Sequence, residues 1–307
     1  MALLDAVISI FSIIFFGWLA KKFSLLSEKS VSALSNYAYY FALPALFFIS
    51  LYKLDFRILN ADLLLAITVP IVLIIVIAFL ASVFQHHKGK QISAYLVSSF
   101  LGSNVYIAFP FISLALGESA VPIAAIIAAI YFFIGSTFGV FVLQYYSGKK
   151  VDMQHMLFNL VKVPVTWSVI LGVVVSYLVT YNQIQVPEFI VSAFSLLGAS
   201  ASATALFALG VFMHKNSIPN LKEVIKLCTL KNLVAPAIAF AFVILFPFRG
   251  MEAQIIILQA AMPMGVTNFV LAEQFKTEKE LVGNAIIVST ILSLFLLPLA
   301  AKLIRFI

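Results

Sequence analysis

The sequence predicts an all-α integral membrane protein: ten transmembrane helices in two inverted five-helix repeats, with helices 4 and 9 broken where they cross. Three observations carry this. The 307 residues are 63% hydrophobic and only 10% charged, with a mean hydropathy of +1.12, whereas a soluble chain needs about 25% charged residues to cover itself. Apolar runs long enough to cross the roughly 30 Å of a bilayer's hydrocarbon, about 20 residues each, recur ten times. Two of those runs are interrupted, in corresponding halves of the chain and with their polar residues in opposite order.

The runs lie at 4–20, 31–51, 63–84, 91–116, 121–146, 156–180, 188–213, 227–247, 253–272 and 281–301, joined by short polar loops. The first reads as a span rather than as a cleavable leader. It lacks a basic start, carries Asp5, and places Lys21 and Lys22 after the apolar stretch, the reverse of a signal peptide's charge order. Pro44, Pro70, Pro164, Pro236 and Pro298 read as helix kinks.

Internal similarity sets the repeat. Residues 66–80 resemble 232–246, with Pro70 matching Pro236; Gly17 matches Gly172, and Ala45-Leu46-Phe47 matches Ala205-Leu206-Phe207. The order is kept while the offset drifts, which gives a first repeat over 1–146 and a second over 147–307. Five spans per repeat is an odd number, so the second copy enters the membrane upside down, the arrangement that alternating access requires. Fourteen of the nineteen Lys and Arg fall in the loops after odd-numbered spans. By the positive-inside rule those loops are cytoplasmic and both termini extracytoplasmic, in a multi-pass protein of the plasma membrane.

The interruptions read Gly102-Ser103-Asn104-Val105-Tyr106-Ile107-Ala108-Phe109-Pro110 and Pro263-Met264-Gly265-Val266-Thr267-Asn268. Backbone broken at membrane depth survives only where protein or a wet cavity supplies partners. Paired breaks in matching positions are therefore the sequence mark of a transporter's binding site. Pro110 and Pro263 disturb their helices, Asn104 and Asn268 can cap the broken ends, and Gly102 and Gly265 allow the segments to approach. A half-helix that starts at the midplane aims unpaired amides and a partial positive charge at the cavity, so the predicted guest is an anion.

Recognition of a carboxylate in this way needs no Lys or Arg at depth, and the sequence is expected to place none near the centre of a span. Lys162 and Lys231 read as snorkelling residues a turn inside the cytoplasmic ends. His86, His87, His155 and His214 are expected in cytoplasmic loops. Asn36 and Tyr40 of span 2 are polar enough to line a site. The run from Gly198 to Ala203 reads as a close-packing seam. Cys228 is the single cysteine and stands in no ligand pattern, and the spans hold no nucleophile paired with a base. We therefore expect no metal, no cofactor and no enzymatic activity, and we read the excess of basic residues as loop charge rather than as a nucleic-acid surface.

At these residues the chain resembles the auxin efflux carrier family, which includes plant carriers and prokaryotic organic-anion permeases and belongs with the bile-acid/sodium symporter-like superfamily. The similarity runs through Tyr40 to Phe47, Asn104 to Gly117, Leu206 to Gly210, Lys231 to Pro236 and Ala261 to Ala272. It implies a scaffold of spans 1, 2, 6 and 7, a moving transport domain of spans 3–5 and 8–10, and a homodimer packed through the scaffold. It implies transport of a small carboxylate such as malate, malonate or an indole acid by an elevator motion, with Asn104, Pro110, Pro263 and Asn268 at the crossing. Val105 and Tyr106 directly after Asn104 make the expected pocket narrower and more aromatic. The rival readings are a sodium-coupled symporter, in which Asn104, Thr267 and Asn268 cage the ion, and a passive channel or membrane sensor.

Overall fold

A computed structural model describes residues 2–148, 151–214, 219–246 and 248–306. Lys149, Lys150 and Lys215, which enter the orientation count, lie outside them, as does the side chain of His155. Among the described residues there is no β-strand, and an isolated antiparallel bridge joins Gly102 to Met264.

Sixteen α-helices follow one another in the described residues: α1 (Ala2–Lys22), α2 (Glu28–Tyr37), α3 (Leu43–Leu51), α4 (Ala61–Phe84), α5 (Lys90–Phe100), α6 (Ala108–Leu116), α7 (Val121–Ile134), α8 (Val140–Tyr146), α9 (Met153–Lys162), α10 (Pro164–Asn182), α11 (Glu188–Phe212), α12 (Leu221–Thr229), α13 (Ala235–Leu245), α14 (Met251–Ala261), α15 (Thr267–Gln274) and α16 (Lys279–Leu303). Three pairs run on without a break through a single wide turn of π-helix: α2 and α3 through Ala38–Ala42, α7 and α8 through Gly135–Gly139, and α12 and α13 through Leu230–Val234. Counting these as continuous, seven helices among the described residues are long and apolar enough to cross a membrane, at Lys29–Leu51, Ala61–Phe84, Glu118–Tyr146, Pro164–Asn182, Glu188–Phe212, Leu221–Leu245 and Lys279–Leu303.

Two of the π turns have a cause in the sequence. Pro44 and Pro236 each stand just past one, and a proline clashes with the carbonyl four residues back. Widening the turn moves that carbonyl away: Leu43 N–H donates to Ala38 and Ala235 N–H to Leu230, each a five-residue step. Pro164 opens α10 after an extended Val163, where its missing N–H costs nothing. The expected sixth span therefore starts later than its apolar run. Lys162 is exposed at the end of the preceding α9.

The chain divides into two compact units. The first comprises residues 1–61, 105–126 and 159–216. Its helices pack through glycines. A Cβ on Gly17 would collide with the backbone of Phe207 in α11, and one on Gly210 with the backbone of Ile14 in α1. Gly172 of α10 meets Leu51 of α3 at 2.8 Å, and Gly198 of α11 meets the Leu46 backbone at 3.0 Å, both measured from the Cβ a larger residue would carry. The Gly198–Ala203 run thus includes a packing contact, although Ser200 of the same run exchanges a 2.9 Å hydrogen bond with the Tyr37 hydroxyl.

The second unit comprises residues 62–104, 127–158 and 217–307. The inner side of α16 carries Asn284, Ser289, Thr290 and Ser293, all buried. At one end His87, between α4 and α5, is buried with its Nε2 3.2 Å from Glu223 Oε2; the same carboxylate accepts the Tyr95 hydroxyl at 2.6 Å and Lys226 Nζ at 2.6 Å.

Replacing Gly210 with Ala sets a methyl against main chain that cannot rotate away, at a cost of about 1–3 kcal/mol. The thermal midpoint of the detergent-solubilised chain should fall, and an unchanged midpoint would refute the backbone contact. Burial holds the His87 imidazole below its ordinary range despite the pull of Glu223. The unfolded chain therefore binds this proton more readily than the folded one. Stability should decline as pH falls through about 6.5, and His87→Gln should flatten that part of a midpoint-against-pH curve.

Candidate substrate site at the crossing of two broken helices

Helix α5 ends at Leu101, whose ψ of 101° turns the chain extended, and α14 ends at Met262 with ψ 142°. The chain resumes as helix only at Ala108 and Thr267. Both interruptions are real breaks in the helical ladder, not bends. Pro263 is buried in the second break, whereas Pro110 stands in the first turn of α6, past its break, where a proline displaces no helical bond.

The broken ends bind each other. Ser103 N–H donates to Pro263 O at 2.7 Å and Gly265 N–H to Leu101 O at 3.3 Å, flanking the Gly102 and Met264 bridge. A Cβ at Gly265 would stand 2.8 Å from Gly102 O, so only glycine fits where the two backbones touch.

The asparagines do not cap the N-terminal ends. Asn104 Nδ2 donates to Gln259 O at 3.1 Å and Gln259 Oε1 at 2.7 Å, while its Oδ1 accepts Gly102 N–H at 2.9 Å. Asn268 Nδ2 donates to Leu101 O at 2.8 Å. Each amide thus closes a carbonyl at the C-terminal end of the opposite broken helix. The N-caps of α6 and α15, Ile107 and Val266, offer no side-chain acceptor to the helix amides. The negative ends of the broken helices are covered by protein, and the positive ends have no side-chain cap. Asn268 Oδ1 is buried without a partner.

Two further expectations are overturned, that Lys231 snorkels and that no Lys or Arg lies near the centre of a span. Lys231 is not a snorkelling residue near a helix end: it has no exposed surface and lies near the middle of the Leu221–Leu245 helix. Its Nζ donates to Ala260 O at 2.7 Å, on the last turn of α14. The apolar run begins at 227, but the helix begins at Leu221, because Lys222, Glu223 and Lys226 add a polar first stretch that hydropathy alone discards. Next to it Asn232 Oδ1 accepts from Ser289 Oγ at 2.7 Å, and Ser289 Oγ in turn accepts Met264 N–H at 2.9 Å.

Of the other expected residues, Asn104, Pro263, Thr267 and Asn268 fall together in the second unit, with Thr267 exposed. Asn36, Tyr40, Tyr106 and Pro110 belong to the first. There Asn36 is exposed, Tyr40 is exposed and packs edge-on against Tyr39 at 5.0 Å, and Tyr106 is half-buried. Gln259, Asn232 and Ser289 were missed. Gln259 carried a signal, a lone amide closing the apolar stretch Ile255-Ile256-Ile257-Leu258.

Comparison with known proteins identifies the family of the chain. A family model described as membrane transport protein matches residues 2–301. A transporter of Methanocaldococcus jannaschii is 21% identical over 96% of this chain and 97% of its own length, and one of Methanothermobacter thermautotrophicus is 24% identical over 96% of each. A probable auxin efflux carrier component of rice is 31% identical over 44% of this chain, which corresponds to 25% of the rice protein. Auxin efflux carrier component 1 of Arabidopsis thaliana is 25% identical over a similar share. On the whole-length match, the chain belongs to the membrane transport protein family, that of the auxin efflux carriers.

Proposed function

We propose that this membrane transporter carries a small organic anion, a carboxylate such as malate, malonate or an indole acid, and binds it where spans 4 and 9 cross. The observation that carries the reading is the division of labour at the breaks. Asn104 and Asn268 cover the carbonyl ends, while neither helix start has a side-chain acceptor on its amides, so the crossing favours negative charge.

Ten crossings in two inverted repeats fit the elements: the seven long apolar helices, α1, and the interrupted pairs α5 with α6 and α14 with α15. Gly17 packing on Phe207 and Gly172 on Leu51 pair the first span of each half with the second span of the other, as an inverted repeat would. On this layout spans 3–5 and 8–10 shift against spans 1, 2, 6 and 7 in an elevator-type cycle, in a homodimer of the plasma membrane with both termini extracytoplasmic. One observation favours a sodium-coupled symporter as second reading: Asn268 Oδ1 is a buried acceptor without a donor.

Purified protein in liposomes should take up labelled malonate or indole-3-acetate saturably. Asn104→Ala and Asn268→Ala should each cut that flux at least tenfold, about 1.4 kcal/mol of transition-state stabilisation, while remaining monodisperse. Wild-type flux in both variants would remove the site assignment, and flux that collapses when choline replaces sodium would select the second reading.

A further inference from the structure

We infer that Lys231, as an ammonium when the site is occupied, supplies the positive charge that balances a bound carboxylate at the crossing. It acts through the broken helix ends rather than by contact, as a positioning residue. The inference rests on the anion-carrier reading above and deepens it by naming where the compensating charge resides.

Its position comes first. Lys231 lies in the π turn Leu230–Val234, fully buried, and its Nζ holds the Ala260 carbonyl at 2.7 Å. A Cβ on Gly102 would stand 3.2 Å from the same Nζ and 2.9 Å from Asn104 Oδ1. The ammonium is therefore against both interruptions at once, beside the Asn104 side chain that links them. An ammonium has three donors, and a single acceptor, Ala260 O, is engaged among the described residues.

Among the described residues no carboxylate compensates it. The π turn packs on α12, α13, α14, α16 and α5. On these helices the acids are Glu223, Glu252 and Glu280. Glu223 is held by Lys226 and Tyr95. Glu252 is in the first turn of α14, eight residues from Ala260, about 12 Å along the axis at 1.5 Å per residue, and Glu280 is in the first turn of α16. The cations Lys90, Lys222, Lys226, Lys279 and Lys302 stand near the termini of their helices. Among the described residues Lys231 forms no ion pair. A buried charge with an incomplete set of partners is costly, and the carbonyl end of α14 offsets only part of it. A carboxylate arriving at the crossing supplies the missing opposite charge, in an interior where charges interact over longer range than in water.

The plain alternative is that Lys231 only ties off α14. A neutral donor would do that without burying a charge. Nor does the architecture demand a lysine there: at the repeat offset that matches Pro70 to Pro236, Lys231 corresponds to Leu65, which is exposed.

The test uses the full chain in liposomes with labelled malonate and indole-3-acetate, and indole-3-acetamide as neutral competitor. Lys231→Gln, which keeps a donor but no charge, should raise the KM for the carboxylate at least tenfold with kcat within about threefold. Lys231→Arg should stay within about fivefold of the wild-type KM, and indole-3-acetamide should compete at least tenfold more weakly than indole-3-acetate. A Gln variant with wild-type KM, or a folded Arg variant no better than Gln, overturns the proposal while leaving the carrier reading intact. Should the Gln variant not fold, the competition decides: equal inhibition by amide and acid overturns it. Absence of any carboxylate flux in the wild type overturns this inference and the carrier reading together.

Discussion

The constraint on which everything else depends is that a helix interrupted in hydrocarbon leaves polar backbone with no water to satisfy it. This chain meets that demand with two amide side chains used reciprocally. Asn104 closes the carbonyl end of α14, and Asn268 closes that of α5. The segments could not cross closely enough for this without Gly102 and Gly265, whose backbones touch. Two further residues of the second unit hold that junction: Ser289 of α16 accepts the Met264 amide, and Asn232 fixes Ser289. This junction is a network in which each member orients the next, so double-mutant cycles rather than single deletions apportion its parts.

The chemistry follows from what the network leaves undone. On the anion-carrier reading, side chains cover carbonyls at the helix ends while the helix starts carry no side-chain cap, so the crossing favours negative charge without any charged side chain at its surface. Lys231 adds to that preference from behind. The arrangement separates two tasks that a surface arginine would combine, holding the backbone together and setting the sign of the guest.

Much of this was legible in the sequence. Apolar runs announced the seven membrane-length helices, and the Asn and Pro interruptions announced the breaks, because hydropathy and backbone chemistry are local properties. The role of the asparagines was legible only in part. Their amide chemistry suggested capping, but which carbonyl each reaches, Gln259 or Leu101, depends on contacts more than 150 residues apart in the chain. Lys231 was misread because Lys222, Glu223 and Lys226 cut the apolar window off at 227, which set Lys231 near an end of the run although it lies near the middle of the Leu221–Leu245 helix. The π turns before the helices of Pro44 and Pro236 were likewise unseen, since the sequence marks the proline but not how the preceding turn accommodates it.

The glycine seam of the first unit carries a mechanical consequence. Where Gly17 meets Phe207 and Gly210 meets Ile14, main chain rests on main chain one helical turn apart on each strand of the pair. Side chains can hop between rotamers to absorb a small displacement, but peptide groups in van der Waals contact cannot. Sliding α1 along α11 would first force the two cylinders apart at both places, so the pair behaves as a rigid strut. Compliance in this unit has to be found elsewhere, at the loops that join its helices.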